Sequence, residues 1–433
     1  MFRVKELDSM YLINCIPKRD DLVIRKASGI WVEDDSGRKY IDFFSGIAVN
    51  NVGHLHPKVV KAVKEQLDRY AHISMLYYSD VVVELAAKLA EVSPSRVKKS
   101  FFCNSGAEAV EGAIKFAKKY AVHKGRSGSI TISLWGSFHG RTALALSITG
   151  QKKYKARLGN FASYPGVVHV IPPYYYRFGR GMSEKDFGVW AADHIADIID
   201  HYEAGDVATV IVEPILGEGG IIVPPDTYLP RLRKITEERN IPLIVDEVQT
   251  GLGRTGKFFA CEHWGVEPDI MTLAKALGGG LPIGAIMVSD EISQAMEPGD
   301  HFSTFGGNPI SCSAAIAVLE IIREEKLVEN SLLVGDYLLN GLKEIEEEQE
   351  KIGEVRGKGL MIGIEFVEDK YSKKPNVKIA QQVKDEMLKN GYILGVGGIY
   401  KNVLRIQPPL TINKEDAERF IQTLSKVIKS IRD

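Results

Sequence analysis

Lys275 is the residue of this chain whose neighbours most favour covalent chemistry. It follows the apolar residues 271–274 and precedes a glycine-rich segment, residues 278–280. Lysine is ordinarily a solvated surface residue, because removing an unpaired ammonium group from water is costly. A lysine held between an apolar run and a close-packed turn is a candidate for a lowered pKa and for Schiff-base formation.

A carboxylate precedes this lysine at a suitable distance along the chain. Residues 241–245 are apolar, which is typical of a buried parallel strand, and Asp246 stands at its carboxyl end. Ligands of open α/β sheets bind at such strand ends. Pyridoxal phosphate (PLP) needs an acid that keeps its pyridine nitrogen protonated and a lysine that carries it. Asp246 and Lys275 together therefore indicate a PLP site.

Length and composition limit the class of protein. The 433 residues are enough for a large core and two domains, and the net charge of −1 does not suggest a nucleic-acid partner. Four cysteines lie without CxxC spacing, and the first residues lack the apolar stretch of a signal peptide. No run approaches the length of a membrane span. We expect a cytoplasmic protein that binds neither membrane nor nucleic acid.

Strands and helices alternate through the middle of the chain. A helix is expected from Ala107, and this alternation predicts a mostly parallel sheet, of seven-stranded type, sandwiched between helices. The predicted strands are residues 101–103, 129–133, 167–171, 209–212, 243–245 and 285–288.

The two ends of the chain have a different pattern. Residues 30–42 predict a hairpin, and the part after Pro309 alternates long helices with short strands around residues 359–366 and 404–406. We therefore expect a smaller α+β domain built from both termini. The predicted division is an N-terminal segment of the small domain (1–50), a large PLP-binding domain (51–310) and a C-terminal small domain (311–433).

Three segments at strand ends contain groups that could bind ligands, and each has a simpler explanation. Residues 104–109 join a strand to a helix whose first N–H groups could hold a phosphate, or they form an ordinary turn. Residues 137–142 place an aromatic ring and Arg141 where they could bind a heterocycle and a carboxylate, or they form a packed Phe and a surface Arg. Residues 213–220 bring carboxylates to the sheet edge, or they form a solvated glycine-rich loop.

Two further patterns are rejected as sites. Residues 251–256 match GxGxxG, but neither a following helix nor a ribose-binding acid is clearly placed, so no nucleotide site is expected. His54 and His56 have no third candidate ligand nearby in the sequence. We expect no metal site.

The ordered motifs resemble the class III (ω-amino-acid) aminotransferases of the PLP-dependent fold type I superfamily, through nearly the whole chain. They resemble 4-aminobutyrate aminotransferase in pattern more than the dialkylglycine decarboxylase branch. The motifs that carry the resemblance are Gly46–Val49, Gly53–Pro57, Ser105–Ala109, Phe138–Thr142, Asp246–Gln249, Gly253–Gly256, Lys275, Thr304–Pro309 and Leu404–Leu410.

The resemblance implies a set of cofactor contacts. Lys275 is expected to form the Schiff base and then to move a proton between the substrate carbon and C4′, and Asp246 to pair with the pyridinium nitrogen. The other expected contacts are Gly106 and Ala107 at the phosphate, Phe138 and Val248 on the two faces of the ring, and Gln249 near the phenolic oxygen.

The resemblance also implies how substrates bind. Arg405 matches the arginine that takes the α-carboxylate of glutamate or 2-oxoglutarate, and Glu218 matches the acid that pairs with it otherwise. Arg141 is expected to bind the distal carboxylate of an ω-amino acid, with Ile47 also in the substrate pocket. Leu216, where related enzymes usually have Gln, departs from this pattern, as does the longer connection at residues 119–126.

The predicted function is transfer of an amino group from an ω-amino acid, 4-aminobutyrate-like, to 2-oxoglutarate. Thr304 is expected to reach the phosphate of a neighbouring subunit, so a homodimer is the expected unit, and a dimer of dimers is left open. A PLP-dependent racemase or epimerase is the alternative, since family members with the same core can reprotonate the substrate carbon. A decarboxylating transaminase is disfavoured by Arg141 and Glu218, and a non-catalytic descendant by the presence of Lys275 and Asp246.

Overall fold

The computed structural model of the chain describes residues 2–16, 19–201 and 206–431. Its strands are β1 (Ile24–Ser28), β2 (Trp31–Asp34), β3 (Lys39–Asp42), β4 (Lys99–Cys103), β5 (Ile130–Leu134), β6 (Val167–Val170), β7 (Val207–Val212), β8 (Leu243–Asp246), β9 (Ile270–Leu273), β10 (Gly284–Val288), β11 (Ile352–Lys358), β12 (Met361–Phe366), β13 (Tyr392–Ile393), β14 (Gly395–Gly397) and β15 (Val403–Ile406).

The helices follow the same chain order. They are α1 (Phe2–Tyr11), α2 (Ser45–Ala48), α3 (Pro57–Leu67), α4 (Asp80–Val92), α5 (Gly106–His123), α6 (Ala143–Ile148), α7 (Lys152–Lys155), α8 (Tyr175–Phe178), α9 (Glu184–His201), α10 (Tyr228–Glu238), α11 (Asp290–Gln294), α12 (Pro309–Glu324), α13 (Leu327–Glu348), α14 (Val377–Lys389) and α15 (Lys414–Ser430). Short 3₁₀ helices span Gly159–Ala162, Ala260–Trp264 and Lys275–Gly278.

Seven strands form the central sheet, in the order β4-β10-β9-β8-β7-β5-β6. β10 is antiparallel to both of its neighbours, and the pairs β9–β8, β8–β7, β7–β5 and β5–β6 are parallel. β4 and the strands from β5 to β9 therefore point the same way, and their carboxyl ends meet at one edge of the sheet. The predicted mostly parallel sheet between helices is confirmed.

The central strands are apolar because both of their faces are covered. Every residue of β5, β7, β8, β9 and β10 is buried. Ile211, Ile244 and Ile270 pack in one cluster with the buried face of α5, while neighbouring strand residues such as Val210 and Val245 belong to the larger cluster on the other side. Successive side chains of a strand point to opposite faces, which explains this alternation. Because both faces of these strands are covered, polar side chains can reach a ligand only at the ends of the strands, along the carboxyl edge of the sheet.

The terminal segments build two smaller sheets. The order β1-β2-β3-β13 joins the N-terminal strands to a strand near the C-terminus, and β11-β12-β15-β14 forms the third sheet. The predicted hairpin is β2 and β3, whereas β1 and α1 were not predicted; the residues of β1 are largely exposed and lack an apolar alternation. The α/β fold class with a smaller α+β part is confirmed, and the division at residues 50 and 310 stays a prediction.

Arg254, inside the GxGxxG-like segment, is a structural residue. Its side chain is fully buried and donates hydrogen bonds to the carbonyl oxygens of Leu360 and Pro408 and to Oδ1 of Asn51. The pKa of this guanidinium is lowered to about 9 by burial. These bonds join Arg254 to three distant parts of the chain. The glycines around Arg254 therefore allow close packing, and no nucleotide is needed to explain them.

Candidate active site

A cavity of about 360 Å³ opens at the edge where the parallel strands end. Glu213 follows β7, Asp246 ends β8 and Lys275 comes two residues after β9, so three adjacent strands deliver three ionisable groups to one place. This is the location at which open α/β sheets bind ligands. The predicted site residues that line the cavity are Gly106, Ala107, Phe138, Asp246, Val248, Gln249 and Lys275.

Lys275 is held in an unusual backbone conformation. Its φ angle is +44°, in the left-handed region that residues with a Cβ atom seldom adopt. Strain of this kind persists where the surrounding structure imposes it, and it is concentrated at functional sites. Burial lowers the pKa of its ammonium group, against the opposing influence of Asp246 and Glu213. A larger share of neutral amine is thereby available for nucleophilic or proton-transfer chemistry.

Asp246 is fixed by donors on both of its oxygens. Oδ1 accepts from the backbone N–H of Val248 (3.1 Å) and the hydroxyl of Thr272 (3.0 Å), and Oδ2 lies 2.7 Å from Nδ1 of His139. The His139 ring is buried, and its Nε2 has no partner among the described residues. A carboxylate held in this way keeps its orientation toward a positively charged group in the cavity.

Glu213 is the third ionisable group at this edge, and its side chain is buried. Its Oε1 accepts from the N–H of Phe138 (2.8 Å) and its Oε2 from the N–H of Gly217 (2.9 Å). Burial raises its pKa to about 7, with His139 opposing and Asp246 adding to the rise. Glu213 therefore fixes the backbone beside the expected ring-stacking residue, and its protonation changes near neutral pH.

The start of α5 forms a cradle for an anion. The Ser105 hydroxyl accepts from the N–H of Glu108 and caps the helix, while the first N–H groups of any helix lack intrahelical partners. A Cβ atom at Gly106 would lie 3.0 Å from Val248, and one at Gly140 would lie 2.8 Å from the Cβ of Ala107. Glycine is required there for the backbone to come so close. With Lys275 and Asp246, this cradle fits the phosphate, aldehyde and pyridine nitrogen of PLP.

Gln249 is oriented by a second glutamine. Nε2 of Gln407 donates to Oε1 of Gln249 at 3.0 Å, so the amide nitrogen of Gln249 remains available as a donor. Gly217 packs against the same amide, since a Cβ atom there would lie 2.4 Å from Oε1 of Gln249. This arrangement suits the expected contact with a phenolic oxygen.

Arg405 and Glu218 form an ion pair that influences Lys275 electrostatically but does not line the cavity. Nη1 of Arg405 lies 2.7 Å from Oε2 of Glu218, and Arg405 is 4% exposed. Neither Nε nor Nη1 of Arg405 makes a hydrogen bond of good geometry within the described part of the chain. A buried guanidinium with unused donors is suited to binding a carboxylate in bidentate fashion.

Arg141, Ile47 and Thr304 do not line the cavity either. Arg141 is exposed, with its guanidinium carbon 4.3 Å from the ring centroid of Tyr154 and 5.4 Å from that of Phe138. Ile47 is 47% exposed on α2, where Ser45 to Ala48 all have positive φ angles, so that α2 is a left-handed turn. Thr304 is exposed as well, away from the cavity of its own chain.

Comparison with known proteins gives consistent results. The family described as Aminotransferase class-III matches residues 16–428. The acetylornithine aminotransferase of Methanocaldococcus jannaschii is 42% identical over 416 residues, 95% of this chain and 94% of that protein. The leucine/methionine racemase of Thermococcus litoralis is also 42% identical, over 95% of this chain and 91% of its own. An (S)-enantioselective omega-transaminase from Thermomicrobium roseum has a TM-score of 0.92 and 34% identity, covering 100% of this chain and 99% of its own.

The chain belongs to the class III aminotransferases. The family match and the transaminase structures that cover almost the whole chain establish a PLP-dependent aminotransferase of fold type I. Its substrates are small amino and keto acids. The resemblance drawn from the motifs, the cofactor and the class of enzyme are all confirmed, whereas the roles of individual residues stay predictions.

Several residues of this aminotransferase site were not given a role from the sequence. His139 lies within the motif Phe138–Thr142, and Glu213 begins the segment 213–220. The sequence shows that both residues lie near strand ends, but it does not show which hydrogen bonds they make. Tyr154 and Lys153 belong to none of the motifs in the sequence analysis, and Gln407 lies within the motif Leu404–Leu410 but was given no role. Their contacts join segments far apart in the chain, and only the folded structure brings them together.

The described ranges contain neither a membrane-spanning helix nor a cluster of metal ligands. No described helix is long and apolar enough to cross a membrane. No group of three or more His, Cys, Asp or Glu side chains in those ranges could hold a metal ion. In the structure Nε2 of His54 pairs with Asp42 at 2.8 Å, and that of His56 with Glu325 at 3.0 Å.

Lys275→Ala should abolish covalent attachment of PLP, because the variant lacks the amine placed opposite Asp246. After borohydride reduction, mass spectrometry of the intact wild-type protein should show the added mass of the reduced cofactor, and the variant should not. Lys257→Ala, at an exposed lysine of the same region, is the matched control and should behave as wild type. An equal adduct on Lys275→Ala would assign the attachment to another lysine.

Glu213→Gln should make the stability of the cofactor-free protein less dependent on pH. The folded-state pKa of Glu213 is raised to about 7, so its contribution to stability is present below its unfolded pKa and is lost as pH rises through about 7. Between pH 5 and 8 the wild type should lose on the order of 3 kcal/mol relative to the variant. Thermal unfolding midpoints measure this difference, and the exposed Glu344→Gln is the control. A difference that stays constant with pH would contradict the titration.

Proposed function

We propose that this enzyme transfers the amino group of a donor with a primary amine at one end and a carboxylate at the other, such as 4-aminobutyrate, to 2-oxoglutarate. The observation that carries the proposal is the pair of guanidinium groups at the site, Arg141 and Arg405. Tyr154 contacts Arg141 through its ring and Glu218, the partner of Arg405, through its hydroxyl. Two carboxylate-binding positions so close together suit a donor and an acceptor that share one pocket.

Lys275, Asp246 and His139 have different roles in the proposed reaction. PLP, when bound, supplies an electron sink for the bonds at the substrate carbon. The amine of Lys275, whose pKa burial lowers, is suited to take a proton from that carbon and to return it at a neighbouring atom. Asp246, held by three hydrogen-bonding partners, would pair with the pyridine nitrogen. His139 helps to fix the orientation of Asp246 through its contact with Oδ2.

Exchange of partners at Arg405 lets the site accept two kinds of substrate. A donor without an α-carboxylate leaves the Arg405–Glu218 pair intact and places its distal carboxylate on Arg141. With 2-oxoglutarate, the α-carboxylate takes Arg405 and Glu218 moves aside. The unused donors on Arg405 support this role, since a guanidinium that lacks good hydrogen bonds gains most from a carboxylate ligand.

The relatives support this class of donor and also raise a second candidate function. Acetylornithine, named for several relatives, also has a primary amine at one end and a carboxylate at the other. The second candidate is amino-acid racemisation, which the identity of 42% with the leucine/methionine racemase favours. A racemase needs the same lysine and the same acid, but it returns the proton to the substrate carbon.

We further propose that the active unit is a homodimer in which Thr304 completes the neighbouring site. Thr304 lies on an exposed segment together with Phe302 and Phe305, which are 52% and 59% exposed. Exposed aromatic side chains in one segment are typical of a surface that a protein partner covers. Sedimentation of the active enzyme should show a species of twice the chain mass. A monomer with full activity would contradict this proposal.

With 4-aminobutyrate and no keto acid, the absorbance spectrum should change from the pyridoxal to the pyridoxamine form. Acetylornithine, tested in parallel, identifies which ω-amine is preferred. Arg141→Leu should raise the donor concentration needed for half conversion roughly 10- to 100-fold, because a charge-assisted contact to the distal carboxylate is lost. Butylamine, which has no carboxylate, is the control and should react equally with both proteins.

The opposite outcome has a distinct signature. If neither donor changes the spectrum, L-leucine and L-methionine are tested by optical rotation. Loss of rotation without accumulation of the pyridoxamine form would establish the racemase and reject the proposed transamination. An equal effect of Arg141→Leu on 4-aminobutyrate and butylamine would remove Arg141 from the carboxylate site.

A further inference from the structure

Glu218 is held from two sides rather than by Arg405 alone. Its Oε2 faces Nη1 of Arg405 at 2.7 Å. Its Oε1 accepts from the hydroxyl of Tyr154 and from the ammonium group of Lys153 at 3.3 Å. Both of these donors come from α7, a short helix outside the central sheet. The two oxygens of one carboxylate therefore have separate sets of partners.

Tyr154 also contacts the other carboxylate-binding position. Its ring centroid lies 4.3 Å from the guanidinium carbon of Arg141 and 5.4 Å from the ring centroid of Phe138, at an interplanar angle of 71°. The guanidinium of Arg141 therefore lies against the same ring whose hydroxyl bonds Glu218. One side chain thus makes two separate contacts, one through its ring and one through its hydroxyl.

The charge balance around Glu218 explains why the second set of partners matters. Burial alone would raise the pKa of Glu218, but Arg405, the hydroxyl of Tyr154 and Lys153 together lower it below its ordinary value. The carboxylate therefore remains ionised. A buried ionised carboxylate without partners is strongly disfavoured. If a substrate takes Arg405, Glu218 needs other donors that stay in place.

We propose that Tyr154 and Lys153 form a second anchor for Glu218, which makes release of Arg405 to an α-carboxylate possible, and that they thereby determine the acceptance of 2-oxo acids and α-amino acids. This inference rests on the proposed exchange of partners at Arg405. Lys153 is tied in place by a further bond to the carbonyl oxygen of Gly398 at 3.3 Å, and Gly398 donates its own N–H to the carbonyl oxygen of Glu218. The anchor and the acid are thus parts of one connected group.

The anchor acts because its bonds differ in strength between the two states. While Arg405 neutralises Glu218, the bonds from Tyr154 and Lys153 are made to a charge that is already compensated. When Arg405 is engaged by a substrate, those bonds are made to an uncompensated carboxylate and are stronger. Only a difference of this kind can shift an equilibrium between two states. Loss of the anchor should therefore weaken α-carboxylate substrates and spare ω-amines.

The test compares the two half-reactions of the holoenzyme, followed by absorbance. Tyr154→Phe keeps the ring against Arg141 and removes the hydroxyl, and Lys153→Met removes the charge but keeps an apolar stem. Both should raise the 2-oxoglutarate concentration for half conversion of the pyridoxamine form about tenfold, the loss of one charge-assisted hydrogen bond. Both should change the 4-aminobutyrate concentration for half conversion of the pyridoxal form by no more than about twofold, because no contact to this donor is lost.

Two further variants separate the functions of the ring and of the hydroxyl. Tyr154→Leu removes both and should weaken 4-aminobutyrate as well as 2-oxoglutarate, because Arg141 loses the ring it lies against. Lys152→Met, at an exposed lysine of the same helix, is the control and should leave both half-reactions unchanged. A general loss of structure in α7 would affect both half-reactions in every variant.

Each result bears on the inference. Equal effects of Tyr154→Phe on both half-reactions, or tighter 2-oxoglutarate binding, would overturn it. A wild-type enzyme that converts 4-aminobutyrate but never reacts with 2-oxoglutarate, other 2-oxo acids or α-amino acids would overturn it too. If the wild type reacts with 2-oxoglutarate but not with ω-amines, the proposed donor is wrong, and the 2-oxoglutarate measurement still decides the role of Tyr154.

Discussion

The organisation of the site depends on burying three ionisable groups at the carboxyl edge of one sheet. Moving a charge out of water is costly unless partners replace the water. Lys275 has two acids nearby, Asp246 has three donors, and Glu213 has two backbone N–H groups. β7, β8 and β9 are adjacent and parallel, which is why these groups converge. A shift of register in any of these strands would separate the lysine from its acids.

The positions of Glu218 and Arg405 depend on a second set of buried charges, which lies on the sheet β11-β12-β15-β14. Arg356, on β11, donates to the carbonyl oxygens of Gly220 and Ile221 and pairs with Glu365 at 2.7 Å. The loop that bears Glu218 is thereby attached to the same sheet that carries Arg405. Glu218 and Arg405 come from distant parts of the sequence, yet the segments that bear them are attached to one sheet. Movement of the smaller sheets would alter both together.

The sequence predicted the centre of this site better than its surroundings. Lys275 and Asp246 could be found because strand pattern and residue type together constrain what they contact. Motif resemblance then added the phosphate cradle at Gly106 and Ala107, and the cavity brings these residues together. Tyr154 could not be found, because α7 is a short helix without periodicity and its contacts span more than 60 residues. The left-handed turn at α2 was equally unpredictable, since only Gly46 among its four residues favours positive φ.

Under the proposed function, the residues that perform the chemistry differ from the residues that determine its outcome. The roles proposed for Lys275, Asp246 and the cradle are the same in transamination and in racemisation, so these residues do not separate the two. What differs is where the lysine returns its proton, and that depends on how the substrate is held relative to Nζ. In the proposed function Arg141 and Arg405, with Tyr154 beside them, would determine that placement, since a carboxylate bound in bidentate fashion fixes the bonds at the adjacent carbon. Residues around the carboxylate positions can therefore change the outcome of the reaction without any change in the residues that perform it.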